Sequence, residues 1–229
     1  MDVTDKLRVL LVDDHTLFRK GLASLMSSRS NMEVVGEAEN GNEAIEMTRE
    51  ALPDLILMDV HMPHCDGVEA VRAIKRELPH IKIVMLSASD DDDDLFAAIK
   101  NGADGYLLKD LDPSQFFVLL EGVRRSEAPI SGILADRILK EFRRTDAGQE
   151  HPIELRETLT PREIETLERL VEGDSNKKIG EVLHVSENTV KLHLRNIMEK
   201  LHLQNRIQLA VYAVRQGLVS NSSDTQSPG

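Results

Sequence analysis

Over the first 125 residues, short apolar runs alternate with stretches of helical period. The runs are LRVLLV (7–12), MEVVGEA (32–38), DLILMD (54–59), IKIVMLS (81–87) and GYLLK (105–109). Each is short, rich in β-branched residues and nearly continuous in apolar residues, as parallel strands covered on both faces are. Between them lie segments of helical length, such as NEAIEMTREAL (42–52) and VEAVRAIKREL (68–78). In the second, Val68, Val71, Ala73 or Ile74, and Leu78 recur at helical spacing. Five strand–helix repeats predict an α/β domain with a doubly wound five-stranded parallel sheet over residues 8–125. Such a sheet binds its ligands beyond the carboxyl ends of its strands.

From 126 to 157 the pattern weakens. Pro129, Gly132, Gly148 and Pro152 surround one short amphipathic helix at about 132–143. We read residues 126–152 as a linker containing that helix. After it, only helical periods remain. Thr160-Pro161-Arg162-Glu163 has the form of a capping box with proline at the first helical position. That helix runs to Gly173, a second spans Ser175 to Leu183, and Ser186 caps a third over ENTVKLHLRNIMEKL. A fourth covers about 205–216. Residues 153–218 are therefore expected to form a small all-α domain, and the polar tail 219–229 is expected to be disordered.

Charge sharpens this division. Residues 1–150 carry 29 acidic side chains against 18 basic, whereas residues 151–229 carry 11 against 10. Within 188–216, Lys191, Arg195, Lys200, Arg206 and Arg215 face Glu199 alone. Two domains with different partners are implied. The single cysteine leaves no internal disulfide framework and fits a reducing cytoplasm. No run approaches the length of a membrane span, and no export signal is visible at the N-terminus.

The strand ends carry the chemistry. Strand one ends in Asp13-Asp14, strand three in Asp59, strand four in Ser87 and strand five in Lys109. Polar residues at strand ends are common, and one or two would mean little. Three carboxylates on one rim repel each other unless a cation sits between them. Hard oxygen ligands suit Mg²⁺, with Lys109 and Ser87 placed to meet phosphoryl oxygens. Asp59 is the natural nucleophile, because carboxylates form aspartyl-phosphates.

These segments (DD, LMDVHMPHCDG, LSAS and GADGYLLKD) resemble the receiver domain of bacterial response regulators. The resemblance implies that Asp59 is the phosphoacceptor, supplied by a sensor histidine kinase. It implies that Asp13, Asp14, Asp59 and the backbone carbonyl of His61 hold Mg²⁺. It also implies a switch pair, Ser87 and Tyr106, in which the hydroxyl moves toward the phosphoryl group and the ring turns inward, with Lys109 as the phosphoryl-binding lysine. Haloacid-dehalogenase-like phosphatases also use an aspartyl-phosphate with Mg²⁺. They place a second Asp two residues after the nucleophile, where this chain has His61, so an enzyme is disfavoured.

In the back domain, Lys191 and Arg195 lie four apart on one helical face, with Asn188, Thr189 and His193 nearby and Lys177 and Lys178 on the preceding helix. That arrangement suits a recognition helix in a major groove with phosphate contacts alongside. LTPREIETLERLVEGDSNKKIGEVLHVSENTVKLHLRNIMEKLHLQNR resembles the LuxR-type helix-turn-helix domain. The resemblance implies that Lys191, Leu192 and Arg195 face double-stranded DNA and that the helix near Asn205 dimerises. Gly180 departs from the alanine usual there, at about 1 kcal/mol of helix preference.

The domain order matches the NarL/FixJ family of response regulators. VVGEAENG, PDLILMDVHMP and GADGYLLKD are similar to its nitrate/nitrite branch, which makes nitrate or nitrite respiration genes the expected target. The expected mechanism is release of the back domain from the receiver on phosphorylation, followed by dimerisation on DNA. The competing expectation is a helical output domain that binds a protein partner.

Two features invite other chemistry. His61, His64, Cys65 and Asp66 look like metal ligands, yet they lack the paired spacings of structural zinc sites. The expected contribution of the His61 side chain is to hydrolysis of the aspartyl-phosphate. The acidic run Asp90–Asp94 after Ser89 is expected to cap a helix N-terminus and leave an exposed acidic turn.

Overall fold

A computed structural model describes residues 6–88, 92–125, 127–129, 158–216 and 218. The chain divides into two compact units, residues 1–134 and 135–229. The predicted short helix at 132–143, most of the linker and the 219–229 tail lie outside the described residues. Among the described residues, no helix is long and apolar enough to cross a membrane.

The first unit runs β1 (Leu7–Val12), α1 (Thr16–Ser27), β2 (Met32–Ala38), α2 (Gly41–Ala51), β3 (Leu55–Asp59), α3 (Gly67–Glu77), β4 (Lys82–Ser87), α4 (Asp92–Lys100), β5 (Gly105–Leu108) and α5 (Pro113–Arg124). All five strands are parallel, in the order β2-β1-β3-β4-β5. The order reverses between β1 and β3, which opens a crevice at their carboxyl ends.

The pleat explains the unbroken apolar runs. Val9, Leu11, Leu55, Leu57, Val84, Leu86 and Leu107 cluster with Leu22 and Met26 of α1 and Phe116, Phe117 and Leu120 of α5. The alternate positions Leu10, Val12, Ile56, Met58, Ile83 and Met85 are buried too, on the opposite face. A strand covered on both sides has no polar face to display. Local chemistry sets the helix starts. Asn40 accepts from the Glu43 amide, Asp66 from that of Glu69 and Asp112 from that of Ser114.

One buried ion cluster ties β5 to β4. Lys75 Nζ lies 2.5 Å from Asp104 Oδ2 and 2.8 Å from the Ile81 carbonyl. Asp104 also accepts from Lys82 Nζ at 2.9 Å and from the Ile83 amide at 3.0 Å. Burial pulls the Lys75 ammonium below the usual lysine value, and Asp104 opposes that shift. Asp104 immediately precedes β5, so this cluster fixes the strand that leads to Tyr106 and Lys109.

The second unit contains α6 (Pro161–Val171), α7 (Asn176–Leu183), α8 (Glu187–Lys200) and α9 (Arg206–Arg215). Its core joins Leu167, Leu170, Ile179, Leu183, Val190, Leu194, Ile197 and Leu209. The predicted capping box is present. Thr160 accepts from the Glu163 amide, and the Glu163 carboxylate accepts from the Thr160 amide. Glu163 also meets Lys200 Nζ at 2.7 Å. Burial works against its charge, but Lys200 and the Thr160 donors hold it below the usual glutamate value.

Gly180 has a different role from the one expected of a weak helix former. A Cβ there would lie 2.8 Å from the Val185 carbonyl oxygen. The turn between α7 and α8 closes directly over this residue, and its carbonyl accepts from the Val185 amide at 2.9 Å. Alanine would regain helix preference only by displacing that turn.

Candidate functional site

The rim predicted from the strand ends is assembled at the β1/β3 crevice. Val12 pairs with Met58 and Asp59 with Leu86, so the carboxyl ends of the central strands lie level. Asp13 and Asp59 are both buried. Lys109 Nζ sits 2.7 Å from Asp59 Oδ2 and 2.8 Å from Asp13 Oδ2. It also lies 4.9 Å from the centroid of the Phe18 ring on α1, within cation–π range. Burial alone would lower the Lys109 ammonium, but its bonds to Asp13 and Asp59 leave it above the usual value. Burial pushes the Asp59 carboxyl up, against the pull of Lys109. Both effects describe a carboxylate poised where an added cation would stabilise it.

Several neighbours hold this geometry. Arg19 of α1 is buried and donates to the Asp13 backbone carbonyl. It also meets Glu37 at 3.2 Å and Glu39 at 2.6 Å. Gly67 opens α3 directly over β3, where a Cβ would lie 2.1 Å from the Asp59 carbonyl oxygen. Gly41 donates to the Cys65 carbonyl at 3.0 Å and leaves room for the Cys65 side chain. The β3–α3 loop is thus pinned at both ends. His64 within it adopts a left-handed φ of 70°.

Ser87 and Tyr106 are both fully enclosed. The apparent ligands of the β3–α3 loop do other things. Asp66 caps α3, burial raises the Cys65 thiol above its usual value, and His61 Nε2 lies 2.7 Å from Asp94 Oδ2. The His61 side chain thus meets α4. Asp94, in the first turn of α4, is the residue paired with His61. Ser89, Asp90 and Asp91 lie outside the described residues. Among the described residues, the metal-type donors that converge are Asp13, Asp14, His15 and Asp59, whose ligand atoms lie within 4.8 Å of one another. Three hard carboxylates of this kind fit Mg²⁺.

On α8, Asn188, Leu192 and Arg195 are exposed, and Thr189 and Lys191 are half-buried. Leu192 is 56% exposed. Lys191 meets Glu187 at 3.0 Å, and Arg195 meets Glu199 at 3.1 Å. Lys177 and Lys178 are exposed at the start of α7. The basic face is narrower than the sequence count suggested. Lys200 is engaged by Glu163, and Arg206 donates to Asn176 Oδ1 at 2.6 Å and the Asp174 carbonyl at 3.1 Å. Both stabilise the bundle.

Residues 9–121 match the response regulator receiver domain, and residues 157–213 match the bacterial regulatory proteins of the luxR family. The uncharacterized transcriptional regulatory protein YxjL of Bacillus subtilis (strain 168) is 41% identical over 215 residues, covering 94% of this chain and 98% of its own. The crystal structure of the response regulator ChrA from a heme-sensing two-component system is 31% identical with a TM-score of 0.51. That match covers 94% of this chain and all of ChrA. The receiver domain of the putative response regulator NarL from Mycobacterium tuberculosis is 34% identical over 52% of this chain and 98% of its own, with a TM-score of 0.50. The likenesses extend over regulators of several names and do not single out nitrate or nitrite. With both domains matched and full-length relatives in the same order, the chain belongs to the two-component response regulators that join a receiver domain to a LuxR-type DNA-binding domain.

Proposed function

We propose that Asp59 accepts a phosphoryl group from a sensor histidine kinase in the cytoplasm, and that this promotes dimerisation of the chain and its binding to double-stranded DNA through α8. The observation that carries the reading is the buried Asp59 carboxylate, 2.7 Å from Lys109 and beside Asp13. An Asp59 oxygen attacks phosphorus, the bond to the donor imidazole nitrogen breaks, and that nitrogen keeps the electron pair. Lys109, released from Asp59, pairs with a phosphoryl oxygen, and the Ser87 hydroxyl donates to another. When Mg²⁺ is bound by Asp13, Asp14, Asp59 and the His61 carbonyl oxygen, it neutralises charge on the transferred group. Tyr106, on β5 opposite Met85 of β4, carries the change to the surface. Incubation with acetyl phosphate and Mg²⁺ should label the chain with one hydroxylamine-labile phosphoryl group, and chelation should prevent it. A chain that stays unlabelled would overturn the reading.

For DNA, the half-buried Lys191 and the exposed Arg195 exchange weak helical ion pairs, worth about 0.3–0.5 kcal/mol each, for phosphates or base edges. Lys177 and Lys178 supply phosphate contacts, Asn188 and Thr189 polar contacts, and Leu192 an apolar one. Replacing Arg195 with Ala should weaken binding by about 1–3 kcal/mol, and Lys191→Ala should flatten the salt dependence by about one phosphate contact. Titrations over a range of salt concentrations measure both. Unchanged affinity and slope would favour a protein partner for the helical domain.

A further inference from the structure

We propose that the segment after α5 is a strap clipped to the outer edge of β5 at the Tyr106 backbone, and that phosphorylation of Asp59 releases it. The inference rests on the reading of Asp59 as the phosphoacceptor and names where the signal leaves the receiver.

β5 is the last strand in the sheet order, with β4 on one side. Left bare, its outer edge would present backbone groups without partners. The chain supplies the cover itself. The Arg125 and Glu127 amides both donate to the Gly122 carbonyl at 2.9 Å, which turns the chain back at the end of α5. The Arg125 guanidinium holds the Glu127 carboxylate through two bonds of 3.0 Å. This turn delivers Pro129, which is buried. Its carbonyl accepts from the Tyr106 amide at 3.0 Å. Its ring fills the space of a Gly105 side chain, since a Cβ there would lie 2.3 Å from Pro129 Cγ. A glycine at the start of β5 thus makes room for the strap.

The clip is weaker than the ladder on the other side of the strand. Proline has no amide to donate, so residue 129 accepts a bond from β5 and returns none. Among the described residues, that one backbone bond joins strap to strand. Opposite it, β5 pairs with β4 from Gly105 to Leu108, and the Lys109 amide donates to the Ser87 carbonyl at 2.7 Å. Ser87 and Lys109 are the two residues that a phosphoryl group on Asp59 draws inward, and their main chains are joined. When they move, β5 keeps its ladder to β4 and gives up the lone outer bond. The clip stands together with the Lys109–Asp59 pair at 2.7 Å, the pair that phosphorylation breaks. Pro129 leads directly into the linker, so release frees the start of the linker from the receiver. The alternative is a strap that only covers the edge, with the same hold in both states.

The test uses the full chain and reads the Tyr106 amide directly, by hydrogen exchange resolved residue by residue. Labelling with acetyl phosphate and Mg²⁺ should speed exchange of that amide at least about tenfold, while the amides of β1 and β3 keep their protection. Gly105→Ala pushes a methyl group into the Pro129 ring, and Pro129→Gly removes the ring. Each should speed Tyr106 exchange with no label present. By linkage, each should also bind the phosphoryl mimic beryllium trifluoride, with Mg²⁺, at least about fivefold more tightly than the wild type does. Unchanged Tyr106 exchange in the labelled chain overturns release of the strap, and no rise in either variant overturns the clip. Unchanged beryllium trifluoride affinity in a variant with raised Tyr106 exchange overturns the coupling and leaves the strap as an edge cover alone. A wild type that takes neither label nor mimic would instead remove the phosphoacceptor reading.

Discussion

Asp59→Ala is expected to abolish labelling by acetyl phosphate and, with it, the phosphorylation-dependent gain in DNA binding. No other carboxylate of the pocket is equivalent. Asp13 is held by Lys109 at 2.8 Å and by the His15 amide at 2.8 Å, and Arg19 anchors its backbone. Asp14 lies beside it under the His15 ring. Asp59 alone stands at the end of the central strand, where Lys109 can transfer from the carboxylate to an incoming phosphoryl oxygen. Mass measurement before and after acetyl phosphate decides the matter, and a label retained in the variant would move the acceptor elsewhere.

The same residue should leave a signature in stability. Burial raises the Asp59 carboxyl above the ordinary aspartate value of 3.8, so the folded chain holds this proton more tightly than the unfolded chain does. The contribution of Asp59 is therefore most favourable below that value and is lost as pH rises from it through the raised value. Asp59→Asn removes this dependence, while Lys109 keeps Asp13 as a partner. Without divalent cations, the variant should gain stability relative to the wild type as pH rises across that window. Urea unfolding at several pH values measures the difference, and a constant difference would contradict the assignment.

Asp104→Ala is expected to cost about 3–5 kcal/mol of unfolding free energy, because it leaves the buried Lys75 ammonium without its anion. The Ile83 amide loses its Asp104 acceptor as well. Lys75→Met should cost less. Asp104 would keep Lys82 and the Ile83 amide, and methionine fills the apolar space without a charge. Urea unfolding of both variants tests this asymmetry. Equal losses would mean that Asp104 acts only through Lys75. Since Asp104 leads into β5, milder destabilisation here should also slow labelling of Asp59 by loosening Lys109.

Much of the pocket was legible because it depends on strand ends. A parallel α/β sheet presents the carboxyl ends of its strands on one rim, so Asp13, Asp59, Ser87 and Lys109 could be grouped without coordinates. The helix starts at Thr160, Ser175 and Ser186 were legible for a different reason. A capping side chain bonds an amide two or three residues away, and such a contact is written in local order.

His15, Arg19 and the His61–Asp94 pair were not legible. Their contacts depend on which rotamer an exposed or buried ring takes and on how far apart two helices settle. The same limit made Lys200 and Arg206 look like part of a nucleic-acid face. Lys200 pairs with Glu163 and Arg206 with Asn176, contacts within their own domain.

The sequence by itself determined the strand and helix periods, the caps and the residues available on the rim, because each follows from short-range geometry. Only the tertiary structure decided what those residues touch. It turned His15 onto three carboxylates, brought Asp94 to His61 and closed the α7–α8 turn over Gly180. Such contacts join positions whose separation along the chain carries no period, and packing alone sets their distance.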